Sequence, residues 1–237
     1  MNNSSNKIKT ICISIGIILL YFIWPIFTNN IISMFRIEGN IKLLLMFLLN
    51  FLCLFLIASV YIDDLKKDFK KFIKNIKTYM SKGLKYFLFG LGAYFIINIL
   101  IACIFKFSNI SNDNLSNLEN VFKDNTILLV LSTTLYYPII EELVFKKTFK
   151  DIIDNKWLFT FISAFSNAFF AYAFSITNVL TLVYIIPCTA FYMGLSYSYY
   201  KTNNVFVPIV YRIIYNLIPS IFLMVETLLL INWHLCQ

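Results

Sequence analysis

The 237-residue sequence predicts an all-α fold, a polytopic transmembrane bundle of seven to eight helices. Composition is the first ground: 59% of residues are hydrophobic, 18% are aromatic, and the mean hydropathy is +0.76. The second is that apolar runs recur at lengths close to the ~20 residues that cross a ~30 Å hydrocarbon core. The third is the lack of the apolar–polar alternation that marks membrane barrel strands. Hydrocarbon offers no partner to a backbone N–H or C=O, so the spanning segments must be helical.

The first expected span, Ile8 to Phe27, follows Lys7 and Lys9 as a signal peptide would, but no small-x-small cleavage site follows it. It reads as an uncleaved anchor. Ile41 to Ile62 contains only Lys42 and Asn50 as strongly polar interruptions. Further spans are expected at Tyr86 to Phe105, Thr126 to Phe145, Trp157 to Phe174, Val179 to Tyr200, and Val205 to about Ile231. Pro219 offers a break in the last of these and hence an eighth short helix, because proline lacks a donor and disfavours helix in the residue before it. The long polar connections are 63–85 and 106–125, and residues 1–237 read as one integral membrane domain.

The net charge of +8 is concentrated rather than spread. Lys66, Lys67, Lys70, Lys71, Lys74, Lys77, Lys82 and Lys85 fall in one connection, and Lys146, Lys147, Lys150 and Lys156 in another. An even number of spans separates the two, so both face one side. The positive-inside rule makes that side cytoplasmic, together with the amino terminus and Lys201, in a multi-pass cell-membrane protein. Within 63–85, Leu65, Phe69, Phe72, Ile73 and Ile76 recur at three- and four-residue intervals among the lysines, the pattern of a basic amphipathic helix lying on a membrane surface. The bilayer is therefore an expected partner. Nucleic acid is not, since no nucleic-acid motif accompanies the lysines. Cys12, Cys53, Cys103, Cys188 and Cys236 are scattered and read as packing residues.

The chemistry-bearing feature is Glu141-Glu142, at the end of the apolar run from Thr126. A charged residue at the centre of a membrane helix costs roughly 2.5–3.5 kcal/mol on insertion scales, so an ionisable pair there reads first as a functional site and second as an interfacial helix end.

Around that pair the sequence resembles a known family. Pro138-Ile-Ile-Glu141-Glu142-Leu-Val-Phe145-Lys146 is similar to the Glu-Glu-x-x-x-Arg motif of the CAAX prenyl protease and bacteriocin-processing (CPBP, or Abi) family, with lysine where arginine is usual. Phe170-Ala-Tyr-Ala-Phe174 resembles its Phe-x-x-x-His motif, with Phe174 in the histidine position. The block from Phe191 through Gly194 to Val205 resembles the glycine-containing helix and turn that precede the third motif. Arg212-Ile-Ile-Tyr-Asn216 resembles that motif, His-x-x-x-Asn, with arginine for histidine.

The resemblance covers about 126–219 and implies a bundle of about eight transmembrane helices. It also implies an intramembrane endopeptidase in which a glutamate activates water, histidines position that water or a metal, and histidine and asparagine stabilise an oxyanion. On this resemblance Glu141, Glu142 and Asn216 are retained catalytic positions, and Lys146, Phe174 and Arg212 are substituted ones. The chain's single histidine is His234, about 27 Å along a continuous helix from Asn216, so it does not replace the missing pair.

The expectation is therefore a degenerate member, a pseudoprotease that binds or regulates membrane proteins or peptides and needs no cofactor. Two glutamates and an asparagine make a poor zinc set, and a divalent metal enters only under the enzymatic alternative. That alternative is an active glutamate-dependent endopeptidase of the CAAX-processing type; a bacteriocin-immunity membrane protein is another. A transporter is disfavoured because no internal repeat is visible. The resemblance places position 212 opposite the glutamate pair inside the bundle, one helical turn from Asn216 on the same face, so it implies that Arg212 pairs with Glu141 or Glu142 and opposes general-base catalysis. The spacing of Glu142 and Lys146 predicts an i,i+4 pair near the cytoplasmic edge.

Overall fold

The computed structural model describes residues 2–36, 39–105, 127–128, 130–173 and 179–235. All regular structure among them is helical. Helix α1 (Asn2–Met34) carries Pro25 in its interior, and nearby the Thr28 hydroxyl donates to the Pro25 carbonyl at 3.0 Å. Ile17, Tyr21 and Trp24, spaced by four and three residues, turn one face of α1 into the core. The chain leaves α1 through Arg36 in the left-handed region (φ 48°) and enters α2 (Gly39–Val60) at Gly39 (φ 63°), where the missing Cβ removes the steric penalty. Cys53 and Ile57, one turn apart, anchor α2.

The polar stretch 63–85, where the recurrence of Leu65, Phe69, Phe72, Ile73 and Ile76 predicts a helix, is helical throughout its length apart from a bend at Asn75. Helix α3 (Ile62–Lys74) is separate, and α4 (Ile76–Phe105) begins ten residues before the expected span. Lysines are good helix formers, and their polar heads let helical turns continue past the apolar section. On α3, Phe72 is buried and rings with Phe206 at 6.1 Å, while Phe69 and Ile73 stay about half exposed. The docked side is further tied by Asn204, whose Nδ2 donates to the Asp68 carbonyl at 2.8 Å.

Helix α5 (132–152) is irregular in an informative way. Two wide π turns, Ser132–Tyr136 and Leu143–Thr148, flank the α turn Tyr137–Glu142. Pro138 supplies the local cause of the first, since its ring excludes the carbonyl four residues upstream and its nitrogen has no hydrogen to give. The Ser132 and Thr134 hydroxyls donate back to the Leu128 and Val130 carbonyls at 2.8 and 2.6 Å. Helix α6 (Lys156–Ala173) starts at an asparagine cap, Asn155 Oδ1 accepting from the Trp157 and Leu158 amides at 3.0 and 3.1 Å.

A 3-10 turn (Val179–Tyr184) leads into α7 (Ile185–Thr202), which ends at Asn203 in the left-handed region (φ 46°). Helix α8 (Phe206–Leu235) runs through Pro219 without a break, so the eighth short helix does not form. Membrane helices tolerate proline where neighbours re-satisfy the freed backbone groups.

Small residues set the closest crossings. A Cβ at either Gly90 or Gly194 would meet the backbone of the other, which fixes α4 against α7, and Ser163 and Ser196 hydroxyls meet at 3.0 Å between α6 and α7. Among the described residues, three helical stretches are long and apolar enough to cross a membrane, Lys7–Met34, Ile41–Val60 and Ile76–Ile104, with Phe206–Ile221 a shorter apolar one. Their outer faces present Phe55, Phe89 and Ile104, each about 70% exposed or more, as an apolar solvent would require.

Candidate functional site

The acidic pair occupies the α turn between the two π turns, facing α8. Arg212 reaches both carboxylates: Nη2 pairs with Glu141 Oε2, and Nη1 lies 3.3 Å from Glu142 Oε1. One guanidinium can serve two neighbouring acids because its planar fork presents several donors at fixed angles. Lys146, one turn after Glu142, places Nζ 3.1 Å from the same Oε1. Glu142 and Lys146 are fully buried, and Glu141 and Arg212 nearly so.

The i,i+4 pair expected of Glu142 and Lys146 forms, and both side chains are enclosed within the bundle, α5 continuing past them to Ile152. Two anions meet two cations, so the formal charge of the cluster is zero. That balance is what makes it tolerable, since an unpaired buried charge costs several kcal/mol.

Two residues that sequence reasoning did not single out complete the cluster. Asn167 of α6 is fully buried, and the amide orientation its surroundings demand has Nδ2 donating to Glu141 Oε2 at 2.8 Å. Its Oδ1 then accepts from Arg212 Nη1 at 3.1 Å and Lys146 Nζ at 3.0 Å. Tyr192 of α7 accepts from Arg212 Nη2 at 2.9 Å, and both cations lie over its ring, Arg212 Cζ at 4.7 Å and Lys146 Nζ at 5.0 Å from the centroid. Asn167 left a faint signal, since Ser163, Ala164 and Ala168 make a small-residue stripe around it on α6. Tyr192 left none, one of 15 tyrosines in an aromatic-rich chain.

Asn216, the retained asparagine one turn after Arg212, bonds to the backbone of α5. Its Nδ2 donates to the Thr133 carbonyl at 2.7 Å, within the first π turn, and so ties α8 to α5 above the carboxylates. Phe174 lies outside the described residues, as do the loop 106–125 and the side chain of His234.

A resident metal does not fit this cluster. Glu141 Oε2 is held by Arg212 and Asn167, and Glu142 Oε1 by Arg212 and Lys146, so two cations already stand at the oxygens that a metal would use. Among the described residues, only Glu142 Oε2 of these acids is buried without a hydrogen-bond partner, and no cluster of three or more histidine, cysteine or acidic side chains occurs.

Glu141 also borders a cavity of about 440 Å³, whose walls include Tyr21, Trp24, Thr28, Asn50 and Tyr136. Trp24 Nε1 is buried without a hydrogen-bond partner among the described residues. The cavity meets the acidic pair on its Glu141 side, whereas Glu142 and Lys146 are fully enclosed by protein.

No curated protein and no solved structure matches the chain at a significant level. Over residues 123–218, which hold both carboxylates, Lys146, Asn167, Tyr192, Arg212 and Asn216, the chain matches the family model described as type II CAAX prenyl endopeptidase Rce1-like, the resemblance its motifs carry.

Proposed function

We propose that the protein is a catalytically degenerate relative of CAAX-type intramembrane endopeptidases that binds membrane peptides or membrane proteins without cleaving them. The observation that carries this reading is Arg212 seated against both carboxylates, in the position of one motif histidine. A general base must reach a water and take its proton. Glu141 is instead held by a guanidinium and an amide, and the chain's one histidine is at position 234.

The cavity beside Glu141 is the peptide site in this reading, with the Thr28 and Asn50 side chains as its polar contacts. The setting is a multi-pass cell-membrane domain with its amino terminus and lysine-rich segments cytoplasmic. Two contacts support a shared side for these segments: Lys7 pairs with Asp154 and Lys147 with Asp64, each at 2.8 Å.

The test is a farnesylated CAAX-type peptide added to the purified protein in lipid nanodiscs, followed by mass spectrometry for cleavage and fluorescence anisotropy for binding. The expected result is binding without cleavage, weakened by Thr28→Trp, which fills the cavity. Cleavage that disappears in Glu141→Ala would overturn the reading.

The active-enzyme alternative draws on one observation, the access of Glu141 to that cavity. Arg212 would then serve as an oxyanion donor, and the same cleavage assay separates the two readings.

A further inference from the structure

A second concavity opens sideways between α4, α6 and α7, away from the acidic pair. It encloses about 500 Å³, with Gly90 and Gly194 at its narrow floor and Phe89, Ala93 and Met193 along its apolar wall. Tyr86, Trp157 and Tyr197 gather at one end, the Tyr86 and Tyr197 rings 4.7 Å apart and Trp157 stacked on Tyr197 at 5.7 Å.

Three ammonium groups surround that aromatic end. Lys85 lines the concavity itself. Lys156 Nζ lies 4.5 Å from the Trp157 ring centroid and 5.6 Å from that of Tyr197, and Lys201 Nζ lies 5.7 Å from Tyr197. No carboxylate lines the site, and among the described residues none of the three lysines makes an ion pair. The nearest acids in sequence are taken, Asp151 by Lys147 and Asp154 by Lys7. Three unneutralised cations thus flank the aromatic end of an apolar groove, and tryptophan and tyrosine rings favour the lipid headgroup region.

We propose that this groove binds an anionic phospholipid, its phosphate among Lys85, Lys156 and Lys201 and one acyl chain along Phe89, Ala93 and Met193. Lipid tails fill any lateral groove of a membrane protein, so the apolar wall alone selects nothing. The charge does: an anionic headgroup neutralises the three lysines, whereas a zwitterionic one brings its own cation. The inference depends on the chain being membrane-embedded but not on whether the acidic pair is catalytic.

Trp157, 64% exposed at the groove, is a built-in reporter. Its fluorescence, taken as the difference between the unmodified protein and Trp157→Phe in nanodiscs, is quenched by lipids brominated on their acyl chains. Brominated phosphatidylglycerol is expected to quench it at far lower mole fraction than brominated phosphatidylcholine. Each surface lysine contributes roughly fivefold to affinity for an anionic surface, so the preference falls to about one when Lys85, Lys156 and Lys201 are all changed to alanine. Raising the salt concentration weakens the preference in the unmodified protein, so the test does not rest on the variant alone.

Equal quenching by both lipids would overturn the proposal, leaving an ordinary lipid-facing groove. A preference that survives the triple substitution would overturn it too. So would displacement of the brominated lipid by neutral farnesol with no dependence on the lysines, which would assign the groove to an isoprenoid chain.

Discussion

Arg212 is the residue on which the buried cluster turns. Removing it leaves two carboxylates facing one lysine in a dry setting, and breaking a buried pair from one side costs about 3–5 kcal/mol. Arg212→Met is therefore expected to lower the unfolding midpoint in detergent sharply. Arg212→Met combined with Glu141→Gln restores balance by leaving Glu142 and Lys146 as a single ion pair, and is expected to recover part of the loss. A double variant no more stable than Arg212→Met would show that charge balance does not hold the cluster together. Asn167→Ala leaves Glu141 Oε2, Arg212 and Lys146 each short of a hydrogen bond, at about 1–3 kcal/mol for an unsatisfied buried polar group. Asn167→Asp, which adds a third acid at that point, is expected to destabilise at least as much, and thermal unfolding monitored by circular dichroism checks both.

At the scale of elements, α3 is held by few contacts, and one of them titrates. A hydrogen bond from Lys147 holds the Asp64 carboxyl below the usual aspartate range, outweighing the opposing effect of its partial burial. Because the folded-state value is depressed, the contribution of Asp64 to docking α3 is present above the ordinary aspartate pKa of about 3.9 and is lost as pH falls through the lower folded value. In Lys147→Met the Asp64 titration is expected to move up toward the ordinary range, and hydrogen exchange of α3 amides to quicken at neutral pH. A carboxyl carbon NMR titration showing no upward movement would refute the assignment. The two π turns of α5 are a second element-scale device: the wider first turn presents the Thr133 carbonyl to Asn216, and together the turns bracket the segment that carries both acids.

For the whole molecule, the decisive contact is the glycine-to-glycine crossing of α4 and α7, which brings Tyr192 of α7 within reach of Arg212 and sets the floor of the lipid groove. Any side chain at Gly194 would run into the Tyr86 carbonyl and Gly90. Gly194→Val is expected to abolish a monodisperse folded species on size-exclusion chromatography, while Gly92→Ala, where nothing stands within 4 Å of the added carbon, leaves it intact. Equal behaviour of the two variants would mean that the crossing is not the constraint it looks to be.

Much of this protein was legible from its residues alone. Composition and run length dictate helices, because hydrocarbon forbids unsatisfied backbone, and the order of Glu141-Glu142, Phe170, Gly194, Arg212 and Asn216 carried the family resemblance. At 63–85 the three- and four-residue recurrence of apolar residues marked a helix among the lysines, but not that α4 starts at Ile76, ten residues before the apolar run, because lysines continue a helix without adding to its hydropathy. What only the tertiary structure decided is which partners meet. Arg212 could have paired with one acid or neither, and it takes both; Asn216, one turn away on the same helix, goes to a backbone carbonyl instead. Asn167 and Tyr192 join from α6 and α7 although neither is itself a motif residue, because a buried hydrogen bond depends on where two helices cross, and the crossing is set by packing across the whole bundle.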